Sequence, residues 1–350
     1  MNRTDILKQV AQKQGKPSDF IIFNQINLTY FTNFSGAVAL LVPEKGESTL
    51  YVSGVNFEQA KAEAKGLSIE LLKRGENLME KIAKNSPAKK FGVDALPVES
   101  WRALAKAVGG EEKLEPVNGL IRDLRSVKDN EEIKLIREAC RLATVGMQKA
   151  KEIIGVGVKE KDVAAEIEYA MRKAGSDGTA FETIVASGAT SAYPHGSNLE
   201  RTIQDGDFVI IDIGATHKFY RSDMTRTFIA SKTTYHQASI YDAVKIAHEK
   251  ALEAIKSEVA ASEVDKLARR VIDKAGFSEY FVHNLGHGVG LEVHEAPILS
   301  PDSKDILAAG NVVTVEPGVY VPGLGGVRIE DTILVTKNGV EILTSGPCMP

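Results

Sequence analysis

Four acidic residues stand inside apolar segments of β-type composition in the C-terminal part of this chain. They are Asp212 in VIIDIGA, Asp223 in RSDMTRTF, Glu316 in TVEPGVY and Glu330 in GVRIEDTILV. His287, in the glycine-rich run LGHGVGLEVHE, falls between the two pairs. A charge left alone in a core costs more than a marginally stable fold can tolerate. The fold is therefore constrained to bring these groups together. Four carboxylates and one imidazole make an oxygen-rich donor set for a pair of divalent cations with bridging ligands. A network of ion pairs without any ligand is the plainer alternative.

Strand alternation decides which of these groups can meet. In GVRIEDTIL, Arg328, Glu330 and Thr332 share one face, and Val327, Ile329, Asp331 and Ile333 share the other. Asp331 is thus turned away from any site that Glu330 enters. Asp212 is an acidic group on the otherwise apolar face of Phe208 and Ile210. A short turn between their strands makes Asp212 and Asp223 close neighbours. Two carboxylates that near raise each other's proton affinity unless cations lie between them.

Two divalent ions in such a cluster would bring the pKa of a water toward neutrality and polarise a carbonyl. Glu316, besides ligating, can accept the proton of that water. An imidazole outside the ligand set can hydrogen-bond the carbonyl oxygen or the tetrahedral oxyanion. His195 and His294 are the candidates, and His283, four residues before His287, can orient a ligand. His217, in a turn, and His236 and His248, on an exposed-looking helix, carry no such signal. There is no Walker-type phosphate loop and no GxSxG elbow, and GHGVG precedes no helix start, which argues against a dinucleotide site.

With 350 residues, 43% hydrophobic and 26% charged, the chain has the composition of a soluble globular protein of two domains. A net charge of −4 gives no reason to expect nucleic acid or an anionic membrane as partner. The longest apolar runs reach about half a membrane span. The polar N-terminus lacks the core of a signal peptide, and Cys140 and Cys348 make no disulfide framework; cytoplasmic residence is the default expectation. Residues 1–122 read as a small α/β domain. Its expected helices cover 4–14, 56–65 and 78–85, and its strands 20–23, 37–44, 48–54, 91–95 and 113–117. Residues 123–350 form the second domain, entered through a long amphipathic helix over 120–143.

Ile133, Ile136, Cys140, Ala143 and Met147 mark one apolar helical stripe, which makes Cys140 a small buried hydrophobe. Val163, Ile167, Met171 and Ala174 mark a second helix closed by Gly175. Strands follow at TAFETIVAS, GDFVIIDIGAT and DMTRTFIAS. The order then repeats: a helix over 238–256, another opened by Ser262 and Asp265 at capping-box-like spacing, a strand EYFVHNL, and the pair NVVTVEPGVYV and GGVRIEDTILV. Glu316, Glu330 and His294 follow Asp212, Asp223 and His195 by about 100 residues each. Two helix–helix–strand–hairpin halves imply a pseudo-twofold with the site on its axis.

The segments IDIGA, SDMTRTF, GHGVGLEVHE, VEPGVY and GVRIEDT, in this order, resemble the pita-bread metallopeptidase family of methionine aminopeptidase, aminopeptidase P and prolidase. FNQINLTYFTNFSG is similar to the creatinase-type amino-terminal domain, and RDLRSVKDNEEIKLIREA to the linker that follows it. The resemblance implies an α+β chain with a smaller α/β creatinase-like domain. The C-terminal pita-bread fold would be a curved antiparallel sheet flanked by helices in two pseudo-twofold halves. It also implies a dinuclear centre of Mn, Co, Fe or Zn. Asp212 would hold one ion and His287 and Glu316 the other, with Asp223 and Glu330 bridging. His195 and His294 would contact substrate, and Arg328 would steady Glu330. Asn284 departs from the family, where a small residue is more usual. Methionine aminopeptidases lack the amino-terminal domain, and creatinase lacks the metal set. A retired binding module would have lost ligands that are all present here. The implied activity is cleavage before proline by a homodimer, as an Xaa-Pro dipeptidase ahead of an Xaa-Pro aminopeptidase acting on longer peptides.

Overall fold

The computed structural model describes residues 2–86, 88–194, 196 and 200–347. The chain divides into two compact units, Met1–Arg125 and Ser126–Pro350. In the first, six strands form one mixed sheet in the order Ser68–Leu72, Thr49–Ser53, Ala37–Val42, Asp19–Ile22, Phe91–Val93 and Leu114–Pro116. The expected pairing of 20–23 with 37–44 is present as an antiparallel ladder, Phe20 opposite Val42. Ile21, Ala39, Leu41, Tyr51 and Val93 bury one face of this sheet against the helices Leu78–Asn85 and Val98–Val108.

A helix at Gln25–Thr32 was not legible, because QINLTYFT is rich in β-branched and aromatic residues. Its ends decide the matter. The Asn24 side chain accepts from the Ile26 and Asn27 amides, and Asn33 closes the helix in the left-handed region at φ 53°.

The second unit contains the repeat. The helices Asn130–Ile153 and Glu160–Lys173 pack on the strands Ile184–Ser187, Phe208–Ile213 and Met224–Ile229 around one core that includes Met147, Ile167, Ile211 and Met224. The helices Tyr235–Ala254 and Ala261–Lys274 pack on a five-stranded sheet around another core that includes Val244, Ile272, Val313 and Ile333. The same backbone bonds recur in both halves. Glu160 N donates to Arg201 O at 2.9 Å and Ala261 N to Asp305 O at 3.0 Å; Ile203 N to Val158 O and Leu307 N to Val259 O are both 2.9 Å. Backbone bonds need no residue identity, which is why the repeat survives without sequence similarity.

Several expected boundaries shift. The helix expected over 120–143 is two, Asn118–Ser126 and Asn130–Ile153. Asp129 starts the second with a capping box closed by Glu132. Ser262 and Asp265 form no cap; Asp265 is fully buried, accepts from the Leu285 amide at 3.0 Å and pairs with Arg269. EYFVHNL is a 3-10 turn at Ser278–Tyr280 followed by irregular chain, and the strand begins only at Gly286. The short turn after Asp212 is a small hairpin, Ala215–His217 with Tyr220–Arg221, turning at Lys218 and Phe219 with positive φ. His248 is buried, not exposed. Cys140 is buried as expected, and Cys348 lies outside the described residues.

One departure matters for function. Each of the two last hairpin strands breaks in the middle: Val312–Val315 stops before Glu316 and resumes as Gly318–Val321, and Gly325–Arg328 stops before Asp331–Val335. The outer pieces form a separate two-stranded ribbon, and the inner ones belong to the five-stranded sheet. Glu316 and Glu330 therefore sit where the chain passes from one sheet to another.

Candidate metal centre

The two halves meet through strand-borne hydroxyls and a backbone hydrogen bond. Thr332 Oγ1 donates to Asp223 O at 2.6 Å, Thr227 Oγ1 to Arg328 O at 2.9 Å, and the Glu330 amide to Thr225 O at 3.1 Å. This seam brings the five expected residues to one cavity of about 680 Å³, lined by Asp212, Asp223, His287, Glu316 and Glu330. Apolar walls come from Phe181, Ile184, Val293 and Ile298.

Within the cavity, one ligand atom from each of Asp223, His287 and Glu330 lies within 4.8 Å of the others. His287 Nε2 stands 3.3 Å from Glu316 Oε1 and 3.7 Å from Asp223 Oδ2. Its Nδ1 lies 3.1 Å from the Gly288 carbonyl, which fixes Nδ1 as donor and leaves Nε2 facing the carboxylates. Thr314 couples His287 to Glu316: its hydroxyl accepts from the His287 amide at 3.0 Å and donates to Glu316 Oε1 at 3.1 Å. Gly286 is required by close approach, since an added Cβ would lie 2.1 Å from Thr314 O.

Electrostatics mark the cluster as incomplete without a cation. Burial, then repulsion from Glu330 and Asp212, pushes Asp223 well above the ordinary carboxylate range. Burial, then Glu316 and Asp212, does the same to Glu330. Asp212 is raised by burial against the pull of Arg328, and its Oδ1 is buried without a hydrogen-bond partner. Burial opposes the ionised form of Glu316 too, but its bond to His287 wins and holds it at about 2. Burial would depress His287, yet Glu316 raises it. Buried carboxylates that repel one another and an orphaned carboxylate oxygen are what a divalent-cation site looks like in its protein part, so the donor set fits.

Arg328 acts on two of the carboxylates, favouring the charged forms of Asp212 and Glu330. Its guanidinium pairs with Asp212 Oδ2 at 2.6 Å and is linked to Glu330 through Thr225, whose hydroxyl accepts from Arg328 Nε at 3.1 Å and donates to Glu330 Oε2 at 2.6 Å. Arg328 also donates to the Tyr320 hydroxyl at 2.6 Å, and that hydroxyl lies 3.0 Å from His283 Nε2. Burial pushes Tyr320 up to about 12 and lowers His283, so Tyr320 stays protonated and His283 neutral at pH 7. His283 faces the cavity and packs on Tyr320, not on His287. His294 lines the cavity with its ring 4.1 Å from that of His287. His195 lies outside the described residues.

Tyr320, Thr225 and Thr314 were missed. The signal was present: a tyrosine or threonine in an otherwise apolar strand must bury a hydroxyl that needs a partner.

The model of metallopeptidase family M24 matches residues 134–337, and that of the creatinase/prolidase N-terminal domain matches residues 4–127. The Xaa-Pro dipeptidase of Pyrococcus furiosus is 40% identical over 324 residues, 92% of each chain. The chain belongs to metallopeptidase family M24. Among solved structures, the M24 chain resembles the prolidase from Pyrococcus horikoshii with a TM-score of 0.91 and 38% identity, covering 99% of both chains. It resembles the X-Pro aminopeptidase from Thermotoga maritima with a TM-score of 0.90 and 32% identity, again over 99% of both. These neighbours share the pita-bread fold with a creatinase-like N-terminal domain. Membership makes this chain a metallopeptidase and implies divalent metal ions. Among the described residues no helix is long and apolar enough to cross a membrane, and nothing points to nucleic acid.

Proposed function

We propose that this M24 metallopeptidase is an Xaa-Pro dipeptidase, a cytoplasmic homodimer hydrolysing the bond between an N-terminal residue and proline. The observation that carries the reading is the buried cluster of Asp212, Asp223, His287, Glu316 and Glu330 around one cavity, together with the similarity to Xaa-Pro dipeptidases over 92% of the chain. Asp212 would ligate one ion, His287 and Glu316 the other, and Asp223 and Glu330 both; the donor set suits Mn, Co, Fe or Zn.

When bound, the ions supply Lewis acidity to the scissile carbonyl and to a water. The chain supplies the rest. Glu316, held ionised by His287, accepts the proton of the attacking water and can return it to the departing proline nitrogen. His294, beside His287, donates to the carbonyl oxygen as negative charge develops there, and His195 is a second substrate contact that the family resemblance implies. Arg328 holds the Asp212 carboxylate in place, and the Phe181, Ile184, Val293 and Ile298 walls exclude water around the substrate.

One observation favours a second reading, an X-Pro aminopeptidase for longer peptides. Among the described residues lining the cavity, Arg328 is the one Lys or Arg, and it is engaged by Asp212 and Tyr320. A dipeptide's C-terminal carboxylate would find no uncommitted cation among them. The deciding assay compares Ala-Pro and Leu-Pro with Ala-Pro-Ala and a longer Xaa-Pro peptide on chelated enzyme reloaded with Mn or Co. Cleavage confined to the dipeptides supports the dipeptidase; preference for the longer peptides establishes the aminopeptidase instead. No cleavage of either refutes both.

A further inference from the structure

The segment that carries His294 is braced from behind by a buried ion pair outside the carboxylate cluster. Lys128 Nζ lies 2.8 Å from Glu295 Oε1, and the two side chains are 1% and 7% exposed. Glu295 follows His294 directly and opens the strand Glu295–Leu299, where it pairs with Gly288, the residue after His287. Its carboxylate lies over Gly290, where an added Cβ would fall 2.4 Å from Oε1. The Gly290 carbonyl accepts from the Arg221 amide at 2.9 Å. The loop leading to His294 is thus folded around one carboxylate, and Lys128 lies against that carboxylate with the opposite charge.

Lys128 is itself fixed by its backbone. Its amide donates to Gly310 O at 2.9 Å, Val127 bridges Asn311, and Asp129 caps the Asn130–Ile153 helix. A buried ion pair contributes no more stability than a well-packed apolar pair of the same volume. What it does supply is direction, because the ammonium must meet the carboxylate in one geometry.

We infer that Lys128 is a positioning residue: acting through Glu295, it sets where the His294 imidazole stands at the scissile bond. The inference rests on the reading of His294 as a substrate contact. With Lys128 replaced by methionine, Glu295 loses this cation, and the loop and strand start that the pair orients are released from that one geometry. A displacement of about 1 Å in a group that contacts the reacting atoms costs on the order of 100-fold in rate.

The test is a double-mutant cycle in metal-replete enzyme with K128M, H294A and K128M/H294A, plus K128R as the conservative variant. Three quantities are read: kcat and KM on an Xaa-Pro dipeptide, bound metal, and hydrogen exchange of the peptide covering 289–296. K128M is expected to lower kcat roughly 10- to 100-fold with KM nearly unchanged. It should keep its metal and speed exchange in 289–296, and K128R should recover part of kcat. In the H294A background, K128M should cost no more than about twofold, since both act through one imidazole. Multiplying effects, wild-type kcat in K128M, or metal lost in step with kcat would each overturn the inference. Wild-type turnover in H294A alone would instead refute the reading of His294, and the inference with it. If K128M fails to fold, K128M/E295M removes both charges and takes its place, and wild-type kcat there is equally fatal.

Discussion

Replacing Asp331 by asparagine should destabilise the C-terminal unit severely while leaving every cavity-lining side chain in place. Asp331 faces away from the cavity. Its Oδ1 accepts from Arg226 at 2.7 Å and from Thr344 Oγ1 at 2.7 Å, and His248 Nε2 lies 3.3 Å from Oδ2. Arg226 is 4% exposed, and it also donates to Glu330 O at 2.6 Å and Thr225 O at 2.9 Å. Burial would raise Asp331, yet His248 and Arg226 hold it below its ordinary value, so it is ionised at neutral pH. The asparagine keeps the shape and removes the charge, leaving a buried guanidinium without its anion. Breaking a buried pair in this way costs about 3–5 kcal/mol. For a unit of this size each kcal/mol moves Tm by about 2–4 °C, so the expected loss is roughly 6–20 °C. Calorimetry of wild type and D331N at pH 7 in chelator measures it without any contribution from bound metal. The double variant R226M/D331N removes both charges and should recover at least half of the loss. A D331N shift below about 2 °C, or a double variant as unstable as the sum of the singles, would refute the account.

Three further outcomes are expected. In the metal-free protein Asp223 and Glu330 have raised pKa values, so the folded state holds protons that the unfolded state has released; stability present at low pH is lost as pH rises above the ordinary carboxylate range. Tm in chelator should therefore fall as the pH rises above the ordinary carboxylate range, excess divalent cation should restore it there, and a flat profile would count against the cluster. Asp223→Asn and Glu330→Gln should each abolish turnover and reduce bound metal, as measured by elemental analysis; near-normal activity in either contradicts a dinuclear centre. Gly286→Ala forces a Cβ to within 2.1 Å of Thr314 O, and overpacking of this kind costs roughly 1–3 kcal/mol. Activity should fall with stability because His287 and Glu316 hang on the same contact.

The sequence by itself pointed to a site and named the five donor residues that line one cavity. A buried charge cannot be kept without an answer, so four carboxylates in apolar segments announced their convergence before any coordinates. Strand alternation likewise separated Glu330 from Asp331, and the structure puts the first at the cavity and the second against Arg226 and His248. Helical periodicity located the apolar stripes of the first helix pair, since those faces repeat at a local spacing. Only the tertiary structure decided how the charges are answered. Arg328 paired with Asp212 and met Glu330 through Thr225, His283 met Tyr320, His248 left the surface for Asp331, and Lys128 reached Glu295. Those partners lie far apart in the chain or across sheet breaks, where no local period constrains them. Their pairing is fixed by the position of each strand in the assembled sheets, a global property that a run of residues does not carry.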